Sequence, residues 1–272
     1  MSTYLVEEAL GQGGMGAVWA ARHLRTGRRV AIKTLLATER LSRESILRFE
    51  REARAASAIG HAGIVAVHDF DRTDDGLQYL VMDLLSGETL EARLGRIGRL
   101  EWPQARRIAL EIAEALDAAH RAGILHRDLK PANVFLAQVA GLGERAVLVD
   151  FGLAKPIEES TAPRLTSTGA VVGTALYMSP EQARGDRPLD ARSDLYSMAA
   201  VVYEMVAGVP PFLGSSALAV MTMVLSEQPV PPSFLARVPA GLDQALMPAL
   251  AKQPEERPRD VASFARSLAA IS

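Results

Sequence analysis

The sequence predicts an α+β, bilobal fold: a small antiparallel β-rich N-lobe with one main helix, and a larger, mainly helical C-lobe. Three observations carry this expectation. Before residue 83 the apolar residues fall into short runs broken by turn signals, with a single stretch at helical spacing. After Gly87 they recur every third or fourth position over long stretches. The chain has 272 residues, 49% hydrophobic and 23% charged, enough for a substantial core in one large domain or two lobes. The expected partition is an N-lobe over about 1–82, a connector over about 83–88 and a C-lobe over about 89–272.

Taken in order, "AVWAARH" and "RRVAIKTLL" are apolar runs joined by "LRTG", whose Thr-Gly is a turn signal. "SRESILRFEREARAASAI" places Ile46, Phe49, Ala53, Ala56 and Ile59 three or four apart, an amphipathic helix with Ser42 as its cap. "GIVAVHDFD" and "LQYLVMDLL" complete a small antiparallel sheet. "WPQARRIALEIAEALDAAHRAG" is the clearest helix: Pro103 sits in its first turn, Gly123 ends it, and Ile108, Ile112, Leu116 and Ala119 share one face. "NVFLA" and "AVLVDFG" read as a hairpin joined through "QVAGLGER". Beyond Met178 helical patterns dominate, including "SDLYSMAAVVYEMVAG" and "DVASFARSLAAI".

Composition excludes several function classes. Thirty basic residues against 32 acidic ones leave a formal charge of −2, which gives no bulk attraction to nucleic acid or to an anionic membrane. There is no cysteine, hence no disulfide framework and no thiolate chemistry. "MSTYLVEEAL" lacks the basic segment and apolar run of a signal peptide. "SMAAVVYEMVAGVPPF" is interrupted by Glu204 and two prolines, too short an apolar run to span a membrane. The histidines His23, His61, His68, His120 and His126 lack the spacing of a zinc site.

The stretch "LGQGGMGAVW" (10–19) sets Gly11, Gly13 and Gly16 at G-x-G-x-x-G spacing. Such glycines let backbone approach a phosphate, in dinucleotide-binding folds and in ATP-binding ones, and by themselves they are equally a flexible turn. A dinucleotide fold requires a helix after the glycines, so that pyrophosphate meets its N-terminus. Here the residues after Gly16 read strand-turn-strand, which argues against that fold. "VAIK" then places Lys33 on the next strand, within reach of phosphates under the loop, and a buried lysine needs a carboxylate partner. Glu50 and Glu52 on the amphipathic helix are the candidates. Glu52, one turn after Phe49 at the edge of the apolar face, is the better placed.

"HRDLKPAN" (126–133) adds Asp128, Lys130 and Asn133, with Pro131 favouring a loop. "DFG" follows, with Asp150 at the end of an apolar strand. A carboxylate to accept a proton from a hydroxyl, with an amide and a second carboxylate to hold Mg²⁺, is the set that phosphoryl transfer requires.

Glycine loop, "VAIK", "HRDLKPAN" and "DFG" in this order resemble a protein kinase domain over nearly the whole chain, in particular the bacterial eukaryotic-like (Hanks-type) serine/threonine kinases. The resemblance implies a protein-kinase-like fold with ATP in the cleft between lobes. Gly11, Gly13 and Gly16 would cover the phosphates. Leu10, Val18 and Ala31 would roof the adenine, Met82 would be the gatekeeper, and the backbone of Asp83 and Leu85 would bond the base over Phe135. Lys33, paired with Glu52, would hold the α- and β-phosphates. Asp128 would be the catalytic base, Lys130 would neutralise the moving phosphoryl group, and Asn133 and Asp150 would bind Mg²⁺, or Mn²⁺ in its place.

The same likeness makes the partners proteins with Ser/Thr hydroxyls, since Lys130 and Thr174 in "GTALYMSPE" fit that branch. Thr174 would bond the catalytic Asp–Lys pair. Asp194 would brace the catalytic loop, and Arg257 would pair with Glu181. Thr166 and Thr168 in "RLTSTGAVVGT" resemble autophosphorylation sites whose phosphates would meet Arg127. Ser179 stands where the family pattern has alanine. The alternative function is a catalytically silent pseudokinase that binds ATP as a scaffold. A cytoplasmic location, or the cytoplasmic domain of a longer membrane-anchored kinase, and a homodimer for autophosphorylation in trans complete the expectations.

Overall fold

The computed structural model describes residues 3–13, 16–35, 59–73, 76–141, 143–151, 173, 175–186 and 188–272. The helix expected over 42–59 lies outside these residues, except for Ile59.

Five strands form the first sheet: β1 (Tyr4–Gly13), β2 (Gly16–His23), β3 (Arg29–Leu35), β4 (Val67–Arg72) and β5 (Gln78–Asp83). Their order is β1-β2-β3-β5-β4, with every neighbouring pair antiparallel. Pairing of β1 with β2 continues to Gly13 opposite Gly16, so the glycine stretch closes a hairpin. Gly16 has φ 145°, a conformation that an L side chain rarely adopts. A strand, not a helix, leaves the glycines, so the dinucleotide arrangement is absent.

The period-2 alternation of strands sorts this sheet into two faces. Val30, Ile32, Tyr79 and Val81 pack with Tyr4 and Ala21 on one side. Ala31, Leu80 and Met82 pack on the other. Lys33, two residues from Ala31, therefore shares the second face, and it is buried there.

That second face meets a smaller sheet, ordered β6-β7-β8, made of β6 (Gly87–Thr89), β7 (Val134–Val139) and β8 (Gly143–Leu148). The short β6 carries little sequence signal beyond its glycine. A Cβ on Gly87 would lie 2.0 Å from the Leu136 carbonyl oxygen, and its φ is 140°, so only glycine admits the close crossing onto β7. Thr89 then caps α1 (Leu90–Ile97), its Oγ1 accepting from the Ala92 N–H at 3.1 Å.

Among the described residues the remaining α-helices are α2 (Trp102–Arg121), α3 (Pro180–Arg184), α4 (Ala191–Ala207), α5 (Ala217–Ser226), α6 (Leu242–Ala249) and α7 (Val261–Ala269). The inward face of α2, with Ile108, Ile112, Leu116 and Ala119, is buried against α4 and α7. Residues 193–203 of α4 are all buried, so this helix runs through the C-terminal core rather than over it. Ser179 has a local explanation: it opens α3 with a capping box, accepting from the Gln182 N–H while the Gln182 side chain accepts from the Ser179 N–H at 3.0 Å. Ser179→Ala should cost about 1 kcal/mol of stability, measurable by urea denaturation.

Candidate active site

The segment between α2 and β7 carries several polar contacts to distant parts of the chain. Its backbone is anchored by Asp194, near the start of α4. The Asp194 carboxylate accepts from the His126 N–H at 2.7 Å, the Arg127 N–H at 2.7 Å and His120 Nε2 at 2.8 Å. Burial alone would raise the Asp194 pKa. The His120 hydrogen bond, with His126 and the Arg127 amide, outweighs it and holds the carboxyl below its usual range.

Arg127 adopts φ 63° and Asp150 φ 59°, a left-handed conformation uncommon for side-chain-bearing residues. Such strain persists only where the surroundings over-determine it. At Arg127 they do: Asp194 takes its N–H, and Gln182 Nε2 donates to its carbonyl at 2.9 Å. His126 ties the two strained residues together. It is fully buried, and burial lowers its pKa, so the ring is neutral. Its Nε2–H donates to the Val149 carbonyl at 3.2 Å, and its Nδ1 faces the Asp128 N–H at 3.4 Å. The ring also lies against Phe151, with centroids 4.6 Å apart. One neutral imidazole thus couples the "HRD" segment to the "DFG" segment.

On this frame Asp128, Lys130 and Asn133 converge. Lys130 Nζ is 3.0 Å from Asp128 Oδ2. Asn133 Nδ2 donates to the Asp128 carbonyl at 2.8 Å and reaches Asp128 Oδ2 at 3.2 Å. With its amide nitrogen committed to Asp128, Asn133 has its Oδ1 to offer a cation. Asp150 lies next to the same segment, since the Val149 N–H donates to the Asn133 carbonyl at 3.0 Å. Asn133 and Asp150 are therefore oxygen donors from neighbouring segments. Two protein oxygens suit Mg²⁺, which keeps phosphate and water for the rest of its shell.

From the first sheet, Lys33 Nζ reaches Asp150 Oδ1 at 2.7 Å. The expected partner, Glu52, lies outside the described residues, as do Thr166, Thr168 and Thr174. Val18, Ala31, Met82, Leu85 and Phe135 belong to one apolar cluster between the two sheets, together with Val65, Leu80 and Val147. Leu10 does not join it. It sits at an irregularity of the β1–β2 register and is 48% exposed. At the connector the Asp83 N–H donates to the Ala66 carbonyl at 3.0 Å. A Cβ on Gly11 would meet nothing within 4 Å, so packing inside the protein does not require glycine there.

Glu181 and Arg257 form a bidentate buried pair at 2.8 and 2.7 Å. Burial opposes the Glu181 charge, but the guanidinium and the Ser193 hydroxyl bring its pKa down to about 2. Sequence reasoning did not single out His120 or Gln182. Their signals were faint: a histidine in the last turn of α2 and a glutamine three residues after a cap.

These features define a two-lobed fold, a β-sheet lobe on a helical lobe, with Lys33, Asp128, Lys130, Asn133 and Asp150 gathered where the two meet. The chain belongs to the protein kinase family as a bacterial Hanks-type serine/threonine kinase domain, and the family model "Protein kinase domain" matches residues 4–265. It is similar to serine/threonine-protein kinase pkn3 of Myxococcus xanthus, with 39% identity over 98% of this chain and 50% of the relative. Against serine/threonine-protein kinase PknB of Mycobacterium leprae the identity is 40%, over 97% of this chain and 42% of the relative. The chain thus spans half or less of the length of these curated relatives. The crystal structure of the Mycobacterium tuberculosis PknI kinase domain matches with a TM-score of 0.77 and 29% identity, over 98% of this chain and 96% of that one. Among the described residues no helix is long and apolar enough to cross a membrane, and no cluster of three or more His, Asp or Glu could hold a metal.

Proposed function

We propose that this chain transfers the γ-phosphoryl group of ATP to Ser/Thr hydroxyls of proteins. The observation that carries the reading is the convergence of Asp128, Lys130 and Asn133 on one loop, beside Asp150 and Lys33. Asp128 accepts the proton of the substrate hydroxyl while its oxygen bonds to the γ-phosphorus. The bond from that phosphorus to ADP breaks, and Lys130 balances the charge on the transferring group. Lys33 holds the α- and β-phosphates. Asn133 and Asp150 would hold Mg²⁺, which supplies charge neutralisation across the phosphates. Because the transition state is loose, the protein contributes mainly position and charge.

The base lies in the apolar cluster of Val18, Ala31, Met82, Leu85 and Phe135, with Leu10 at its edge, and is bonded by Asp83 and Leu85. In this reading residues 83–88 are the hinge between lobes 1–82 and 89–272, and Gly11, Gly13 and Gly16 cover the phosphates. The proposed location is cytoplasmic, as a domain of a longer protein, with a homodimer for phosphorylation in trans.

Thr166 and Thr168 are the proposed autophosphorylation sites, answered by Arg127. After incubation with Mg·ATP, mass spectrometry should find phosphate on this pair. Thr166→Ala/Thr168→Ala should lower activity relative to the phosphorylated wild type, with no further loss on phosphatase treatment. Nucleotide binding without any phosphoryl transfer would favour the pseudokinase reading instead.

A further inference from the structure

The first residue of the proposed hinge, Asp83, is gripped by two partly exposed side chains that the transfer chemistry does not use. We infer that Arg28 and His68 are positioning residues for the adenine base, acting through Asp83. This rests on the kinase reading, in which the Asp83 carbonyl accepts from the adenine amino group.

Three features of the backbone and side chains carry it. First, β4 is bulged. Val67 lies opposite Met82 and Asp69 opposite Val81, so His68 has no partner in the ladder. A bulge re-aims the side chain it carries, and this one sends His68 Nε2 to 2.7 Å from Asp83 Oδ1. Second, Arg28, immediately before β3, brings a guanidinium nitrogen to 2.8 Å from the same oxygen. Third, the Asp83 N–H is committed to the Ala66 carbonyl.

The chemistry at this oxygen is specific. Arg28 has only donors, and its nitrogen lies 3.1 Å from His68 Nε2. At 2.7 Å from a carboxylate oxygen, Nε2 carries its hydrogen. The Arg28–His68 approach is therefore two donors converging on one acceptor, not a bond between them. The Asp83 amide is thus tied to Ala66, just before β4, and its carboxylate to His68 on β4 and to Arg28 in the β2–β3 turn. Rotations about the Asp83 backbone that would swing its carbonyl away from the base work against both ties. Arg28, Asp83 and His68 side chains are all partly exposed, so this cluster adds little to global stability. A role in orientation is the function left to it.

The test compares Mg·ATP with Mg·purine riboside triphosphate, which lacks the 6-amino donor, on the wild type and on Arg28→Ala/His68→Ala. Binding is read by calorimetry and turnover by phosphate release. Wild type should prefer ATP. The double variant should bind ATP about three- to tenfold more weakly, the worth of one hydrogen bond. Its kcat and its affinity for the analogue should stay unchanged. Arg28→Lys/His68→Gln, which keeps a donor at each place, should restore the preference. Unchanged ATP preference in the alanine variant, or equal loss for both nucleotides, would overturn the positioning role. A wild type that binds neither nucleotide overturns the kinase reading first and this role with it.

Discussion

Asp128→Asn is expected to lower turnover by about 10²–10⁴-fold, the usual range for general acid–base help, and to leave ATP affinity nearly unchanged. The change removes the proton acceptor but preserves shape. Asn133 Nδ2 still donates to the residue-128 carbonyl, because that bond at 2.8 Å involves the backbone. The loop itself also stands, since Asp194 holds the His126 and Arg127 amides. Lys130 gives up its carboxylate contact at 3.0 Å but keeps its own charge for the phosphate, so binding need not suffer. Single-turnover transfer of radiolabelled phosphate, beside a separate nucleotide titration, separates the two quantities. Near-wild-type transfer would remove Asp128 from the role of base.

Arg257→Met is expected to destabilise the domain by about 3–5 kcal/mol, because it strands the Glu181 carboxylate in the core. The Arg257 side chain is fully buried and the Glu181 side chain 9% exposed. Arg257 also donates to the carbonyls of Ala251 at 2.9 Å and Arg192 at 2.8 Å, so its loss orphans backbone acceptors as well. The pH dependence follows from the sign of the Glu181 shift, from an ordinary 4.5 down to about 2 in the folded protein. A depressed carboxyl contributes stability that is fully present above its unfolded pKa and is lost as pH falls from about 4.5 through 2. Wild type should weaken across that window. In Arg257→Met the contribution should vanish, flattening the difference between pH 7 and pH 3. Chemical denaturation at several pH values reads this, and an unchanged denaturation midpoint at pH 7 would remove the pair from the list of main supports.

The parts of the site legible in sequence were those whose chemistry is carried by a few contiguous residues. Asp128, Lys130 and Asn133 lie within six positions, and the 3-10 turn Pro131–Asn133, opened by Pro131 where a loop was expected, brings them together. Lys33 was legible because strand alternation ties its direction to that of Ala31. The helices α2 and α4 declared themselves by long apolar patterns. By contrast α1 and β6 were missed, being short and decided by a glycine crossing and a threonine cap rather than by periodicity. His120 was missed because nothing local links it to Asp194, 74 residues away.

What the sequence determined by itself is therefore the chemical inventory and its order: which donors, acceptors and charges exist, and on which kind of element each one sits. Side-chain identity and short-range periodicity are local properties, and they survive without a fold. The tertiary structure alone decided the partners. It set Asp194 under a strained Arg127, placed one neutral His126 between the "HRD" and "DFG" segments, brought Lys33 to Asp150, and turned His68 at a bulge toward Asp83. These contacts join residues far apart in the chain. Their formation depends on the helical core and the two facing sheets closing together, which no single segment specifies.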